Sequence, residues 1–94
     1  MGFKDVKQTV VTALRAGTFQ HEARSDINVK NLLATGQVNA SFVERILSNC
    51  TNKHLETTPH DLDRDIDVYV IKKDGWYIKF YFLNPQTVFI SVHQ

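Results

Sequence analysis

Ile66-Asp67-Val68-Tyr69-Val70-Ile71-Lys72-Lys73-Asp74-Gly75-Trp76-Tyr77-Ile78-Lys79-Phe80-Tyr81-Phe82-Leu83-Asn84-Pro85-Gln86-Thr87-Val88-Phe89-Ile90-Ser91-Val92-His93 holds three alternating apolar runs with turn residues between them. Side chains point to opposite faces at successive positions of a strand. Ile66, Val68 and Val70 therefore share one side of the first strand. Trp76, Ile78, Phe80 and Phe82 share one side of the second, and Val88, Ile90 and Val92 one side of the third. The remaining side carries Asp67, Tyr69, Tyr77, Lys79, Tyr81, Ser91 and His93. These residues donate, accept or shuttle protons, which a merely solvated sheet does not require.

The turns set the expected pairing. Asn84-Pro85-Gln86 reads as a compact turn that puts Phe82 opposite Val88, Phe80 opposite Ile90 and Ile78 opposite Val92. The same register sets Lys79 opposite Ser91 and Tyr77 opposite His93. A slip by one residue sends every apolar side chain to the other face, so register is strongly specified. At Lys73-Asp74-Gly75 two geometries compete. A two-residue Asp-Gly turn pairs Ile71 with Ile78 and Tyr69 with Phe80. A three-residue turn with Gly75 in a bulge pairs Val70 with Ile78, Val68 with Phe80 and Ile66 with Phe82. The second brings more aliphatic residues together and is preferred; it sets Asp67 and Tyr69 beside Tyr77 and His93.

Upstream the periodicity turns helical. Phe3, Val6, Val10 and Leu14 form an amphipathic stripe ending at Gly17. Thr18 to Arg24 is short and polar, with extended character. Ser25 or Asp26 caps a second expected helix through Leu32 and Leu33, stopped at Gly36. Asn39 or Ser41 caps a third, with Phe42, Val43, Ile46 and Leu47 as its buried stripe. Asn52 to Arg64 is mixed and polar, interrupted by Pro59, with an extended piece around His54-Leu55-Glu56-Thr57. Helices first and antiparallel strands last imply one α+β domain over residues 1–94. Two to three N-terminal helices are expected on one face of a C-terminal three- to four-stranded antiparallel sheet, with the polar face partly open.

Composition narrows the class. Hydrophobic residues are 43% of the 94, enough for one core and too few for a large internal cavity. The formal net charge is +1, so any nucleic-acid contact must come from local clustering. The single Cys50 excludes an internal disulfide and suits a reducing compartment; at a helix end it reads as a buried small hydrophobe. No apolar run is long enough to span a membrane, and Met-Gly-Phe-Lys-Asp lacks the apolar core of a signal peptide. The expected location is the cytoplasm.

The polar face suits RNA cleavage without a metal. Such a reaction needs a base for the 2′-hydroxyl, stabilisation of the phosphorane-like state and an acid for the leaving oxygen. His93 is the candidate acid or base, since imidazole titrates near neutrality. Tyr77 is a hydrogen-bond donor to phosphate, and Lys79, Lys53 and Arg64 neutralise it. Tyr69 and Tyr81 are candidate stacking platforms for bases. His21 and Arg24, in His21-Glu22-Ala23-Arg24, are further candidates. His21, His54, His60 and His93 lack metal-ligand spacing, so neither metal nor cofactor is expected. His60-Asp61-Leu62-Asp63-Arg64-Asp65 reads as a solvated loop whose carboxylates are, secondarily, a cation-binding candidate.

Asp67-Val68-Tyr69, Gly75-Trp76-Tyr77-Ile78-Lys79-Phe80 and Val88-Phe89-Ile90-Ser91-Val92-His93 together resemble the C-terminal half of MqsR-type toxins. Those belong to the RelE-like (BECR fold) group of toxin-antitoxin ribonucleases. The opening helix, with Val6-Lys7 and Ala16-Gly17, is similar too. His21-Glu22-Ala23-Arg24 resembles the start of a related uncharacterised family on that scaffold. The resemblance implies a metal-independent endoribonuclease, an mRNA interferase, with RNA as substrate and a cognate antitoxin as partner. It carries the family's strand tyrosine onto Tyr77, its C-terminal basic residue onto His93 (a lysine there) and its upstream lysine onto Lys53 or His54. The family's glutamine before the Asp-Val-Tyr run is Ile66 here. Two alternatives stand beside this reading. One is a binding module on the same scaffold that takes RNA or a protein without cutting. The other is a small interaction domain that offers its sheet edge to a partner strand.

Overall fold

The computed structural model describes residues 2–94. The elements run α1 (Phe3–Ala16), β1 (Phe19–His21), α2 (Ile27–Lys30), α3 (Ala40–Ser48), a 3₁₀ turn (Asn52–His54), β2 (Leu55–Pro59), β3 (Asp67–Lys73), β4 (Trp76–Leu83) and β5 (Gln86–His93). The chain is α+β, as expected, but its sheet has five strands in the order β1-β5-β4-β3-β2 and is mixed. The polar stretch after α1 supplies the extra edge strand: β1 runs parallel to β5, with Phe19 beside Thr87 and His21 beside Phe89.

Local chemistry explains the helices. Gly17 ends α1 in the left-handed conformation, φ 74°, and its N–H bonds the Ala13 carbonyl. Asn39 caps α3, its side chain accepting from Phe42 N at 2.9 Å. The expected long second helix is one turn only. Asp26 stands at its N-cap position without a side-chain cap bond. Its carboxylate is instead held by the Arg24 guanidinium, at 3.1 Å for the Nη2–Oδ2 contact. Asn31 then leaves the helix to bridge Val92 in parallel fashion, and Leu32 N donates to Val92 O at 2.8 Å.

Both β-turns differ from expectation. Asp74 and Gly75 have φ of 55° and 80°, so the β3–β4 hairpin turns on two residues and pairs Ile71 with Ile78 and Tyr69 with Phe80. The bulged alternative loses because the sheet buries apolar residues on both faces. One cluster unites Val6, Val10 and Leu14 of α1 and Val43, Ile46 and Leu47 of α3 with Tyr69, Ile71, Ile78, Phe80, Phe89 and Val92. A second, smaller cluster holds Val68, Tyr81, Val88 and Ile90, with Ile66 against it. Packing Val68 against Phe80 assumed a single core; with two, the valines have a home on the second face.

The β4–β5 turn is also shorter than expected. Leu83 pairs with Gln86 across a cis Asn84–Pro85 bond, so Gln86 already belongs to the strand. Phe82 therefore faces Thr87, and Phe80 faces Phe89 rather than Ile90. A bulge between Lys79 and Phe80 then absorbs one residue and restores the expected far-end pairs: Lys79 with Ser91, Ile78 with Val92 and Tyr77 with His93. The bulge turns Phe89 into the main core, where it is fully buried, at a gain of ~1.5–3 kcal/mol for a large apolar side chain. Ile90 and Val88 are left to the second face.

Candidate functional site

The second face of the sheet falls into two halves. At one end Val68, Tyr81, Val88 and Ile90 are buried. At the other, Tyr77, Lys79 and His93 remain half-exposed, and there the expected pair forms. The Tyr77 and His93 rings stack with centroids 5.1 Å apart and planes 19° from parallel. Lys72, in register with Tyr77 on its other side, brings Nζ within 6.0 Å of the tyrosine ring centre. One row across three strands thus reads Lys72, Tyr77, His93, and Lys79 with Ser91 lies one step further along.

Hydrogen bonds sort the four histidines. His93 Nδ1 lies 2.9 Å from the Gln94 carbonyl oxygen, which can only accept. The proton is therefore on Nδ1, and Nε2 is left with a lone pair in the neutral ring. In the other three, Nδ1 is the acceptor: His54 takes Thr51 N–H at 2.8 Å, His60 takes Leu62 N–H at 3.0 Å, and His21 takes the Asn31 amide at 3.0 Å. His21 is on the main-core side, edge-on to Phe19 and close to Phe89, and burial pushes its pKa down. Its Nδ1 is engaged and its ring lies on the core side, so its expected contribution to the polar face is corrected.

Tyr69 is corrected for a related reason. The two-residue turn puts it in the main core, 5% exposed and packed on Phe80 and Phe82, where it cannot stack on a base. Tyr81 does lie on the second face but is buried, with its hydroxyl donating to Glu22 Oε1 at 3.0 Å. Burial, then the Glu22 bond, push its pKa up to about 12, and its ring meets His60 edge-on at 5.0 Å. It is a structural tyrosine and offers no stacking platform.

Arg24 reaches the site but is already engaged. Its Nη1 donates to Ser91 Oγ at 2.8 Å and to Ile90 O at 3.2 Å, and its remaining guanidinium contacts go to Asp26. It secures the bulge beside Lys79 and in doing so lowers the Asp26 pKa, first through the side-chain hydrogen bond. Lys53 and His54 form the 3₁₀ turn ahead of β2, whose Leu55 pairs with Ile71, next to Lys72. They share the sheet end of Tyr77 and His93, but β3 lies between them and Tyr77, and both β3 and β4 between them and His93, roughly 10 and 14 Å by strand spacing. Arg64 is exposed on the β2–β3 loop and joins no ion pair among the described residues.

One group of residues escaped the sequence reading. His60 and Glu22 stand 38 residues apart, yet His60 Nε2 donates to Glu22 Oε1 at 2.8 Å. Together they form one wall of a cleft of about 310 Å³ that also touches Thr58, Asp61, Leu62, Val68, Lys79 and Ile90. No spacing rule links a residue leaving β1 to one leaving β2, so His60 read as part of a solvated loop; it is in fact 8% exposed. The carboxylates of that loop do not gather, and among the described residues no group of three or more His, Cys, Asp or Glu is placed to hold a metal ion.

Cys50 is free and buried; its Sγ donates to Leu47 O at 3.0 Å, and burial raises the thiol pKa. No helix among the described residues is long and apolar enough to cross a membrane. Comparison with protein-family models, curated proteins and solved structures returns no match to this chain.

Proposed function

We propose that this chain is a metal-independent endoribonuclease, an mRNA interferase toxin on a RelE-like scaffold, held inactive by a cognate antitoxin in the cytoplasm. The observation that carries the reading is the Tyr77–His93 stack, with Nε2 of His93 left as the acceptor. His93 Nε2 takes the proton of a 2′-hydroxyl, and the 2′-oxygen attacks the adjacent phosphorus. The bond to the 5′-oxygen breaks, leaving a 2′,3′-cyclic phosphate, and the leaving oxygen is protonated by water or the Tyr77 hydroxyl. Lys79 and Lys72 offset the charge that gathers on the phosphate oxygens.

Purified protein is expected to cut mixed mRNA in the presence of a chelator, and its expression to arrest bacterial growth. The idea fails if wild type leaves RNA intact and is as harmless in cells as His93→Ala.

A second reading, a binding module for RNA or protein that does not cut, is favoured by one observation. His93 alone of the four histidines has a free acceptor nitrogen on this face, so the two-group acid–base arrangement is incomplete without Tyr77 or water. Tight RNA binding with no cleavage and no growth arrest would select it.

A further inference from the structure

The cleft beside Lys79 is not used by the proposed chemistry, and its walls are of two kinds. Val68 and Ile90, both buried members of the second cluster, form an apolar floor, and Pro59 and Leu62 border it. Leu62 is 90% exposed and offers an apolar side chain at the rim. The polar groups at the edge are two carboxylates, Glu22 and Asp61, which accept, and the Thr58 hydroxyl, which can accept or donate. Lys79 closes the end that faces Tyr77 and His93.

Glu22 is held in a defined orientation. Both of its donors, His60 Nε2 and Tyr81 OH, go to Oε1. No side chain among the described residues bonds Oε2, so that oxygen is available to a ligand donor. The His60 tautomer, set by the Leu62 N–H on Nδ1, keeps this arrangement in place. At about 310 Å³ the cleft is at the small end of ligand sites, of a size for one flat ring system.

We infer that this cleft is a base-binding subsite of the RNA site, taking a nucleobase with an exocyclic amine next to the phosphate held by Lys79. The inference rests on the ribonuclease or RNA-binding reading above. A base lies on Val68 and Ile90 against Leu62, and its amino group donates to Glu22 Oε2. Cytosine, adenine and guanine carry that amine. Uracil has a carbonyl oxygen where cytosine has N4, so it sets an acceptor against a carboxylate and is disfavoured.

The test uses ligands that cannot be cut. The full chain is titrated calorimetrically with 2′-O-methyl hexacytidylate and with 2′-O-methyl hexauridylate. The cytidine oligomer is expected to bind about tenfold more tightly, a ratio that falls to near one in Glu22→Gln. Because that variant disturbs the His60 and Tyr81 bonds, amide shifts of the wild type are mapped in parallel. They are expected to fall on Thr58 to Leu62, Val68 and Ile90.

Equal binding of the two oligomers, or shifts confined to other surfaces, overturns the subsite. A cytidine preference without cleavage of natural RNA leaves the subsite standing and removes only the catalytic reading. Cleavage without preference, or binding of neither oligomer, removes the subsite alone; the catalytic reading falls only if natural RNA is left intact.

Discussion

His60 donates its Nε2 proton to Glu22 Oε1 at 2.8 Å and thereby ties the β2–β3 loop to the segment leaving β1. The same oxygen receives the Tyr81 hydroxyl, so one carboxylate takes two donors and joins three parts of the chain. Glu22→Ala leaves two buried donors unpaired. It is expected to lower unfolding stability by about 2–4 kcal/mol in urea titrations, with Glu22→Gln milder.

Asn31 is fully buried and makes three bonds: its amide donates to His21 Nδ1 and Phe89 O, and its Oδ1 accepts from Ala34 N. Asn31→Leu fills a similar volume but satisfies none of them. A loss of roughly 2–4 kcal/mol is expected, measured as a fall in Tm relative to wild type.

Two shifted groups give stability a defined pH dependence. Burial lowers the His21 pKa, so the unfolded chain takes up a proton at His21 before the folded one does. Its contribution is complete above about 6.5 and is lost as pH falls below that value. For Tyr81 the sign reverses: the folded pKa of about 12 lies above the ordinary 10.0, so its stabilisation is present below pH 10 and lost as pH rises from 10 to 12. Tm profiles are expected to flatten on the acid side in His21→Gln and on the alkaline side in Tyr81→Phe.

The hairpin at Asp74-Gly75 depends on two consecutive positive φ values. Gly75→Ala meets no steric neighbour but keeps the unfavourable φ of 80°. A cost of about 1–2 kcal/mol is expected, which for a chain of this size lowers Tm by roughly 4–16 °C.

At the proposed reaction centre, His93→Ala is expected to slow RNA cleavage by roughly 10²–10⁴-fold, the usual scale for a general base. Tyr77→Phe keeps the stack and loses only the hydroxyl, so a smaller loss is expected. Both variants should unfold within about 0.5 kcal/mol of wild type, as substitutions at half-exposed positions usually do. Steady-state cleavage alongside urea titration separates the two effects.

Alternation and turn chemistry are local, and they were enough to reveal α1, α3, the three consecutive strands and the pairing of Tyr77 with His93. That pairing survives although the turn at the other end of the hairpin is one residue shorter than expected, because the bulge at Lys79/Phe80 restores the register. The face of the first strand was not legible. Val68 and Tyr69 are both apolar enough for burial, and the choice depends on whether the sheet has one core or two.

The sequence by itself therefore determined the α+β class, the residues of β3 to β5 and the company of Tyr77, His93 and Lys79 at one sheet end. Period-two alternation and a Gly- or Pro-bearing turn act over a few residues and leave their mark in the order of the chain. Only the tertiary structure decided that β1 joins as a parallel edge, that Tyr69 belongs to the main core and His21 lies on the same side, and that Glu22, His60 and Tyr81 meet. Those outcomes come from competition for burial and for hydrogen-bond partners among segments tens of residues apart, which no local spacing encodes.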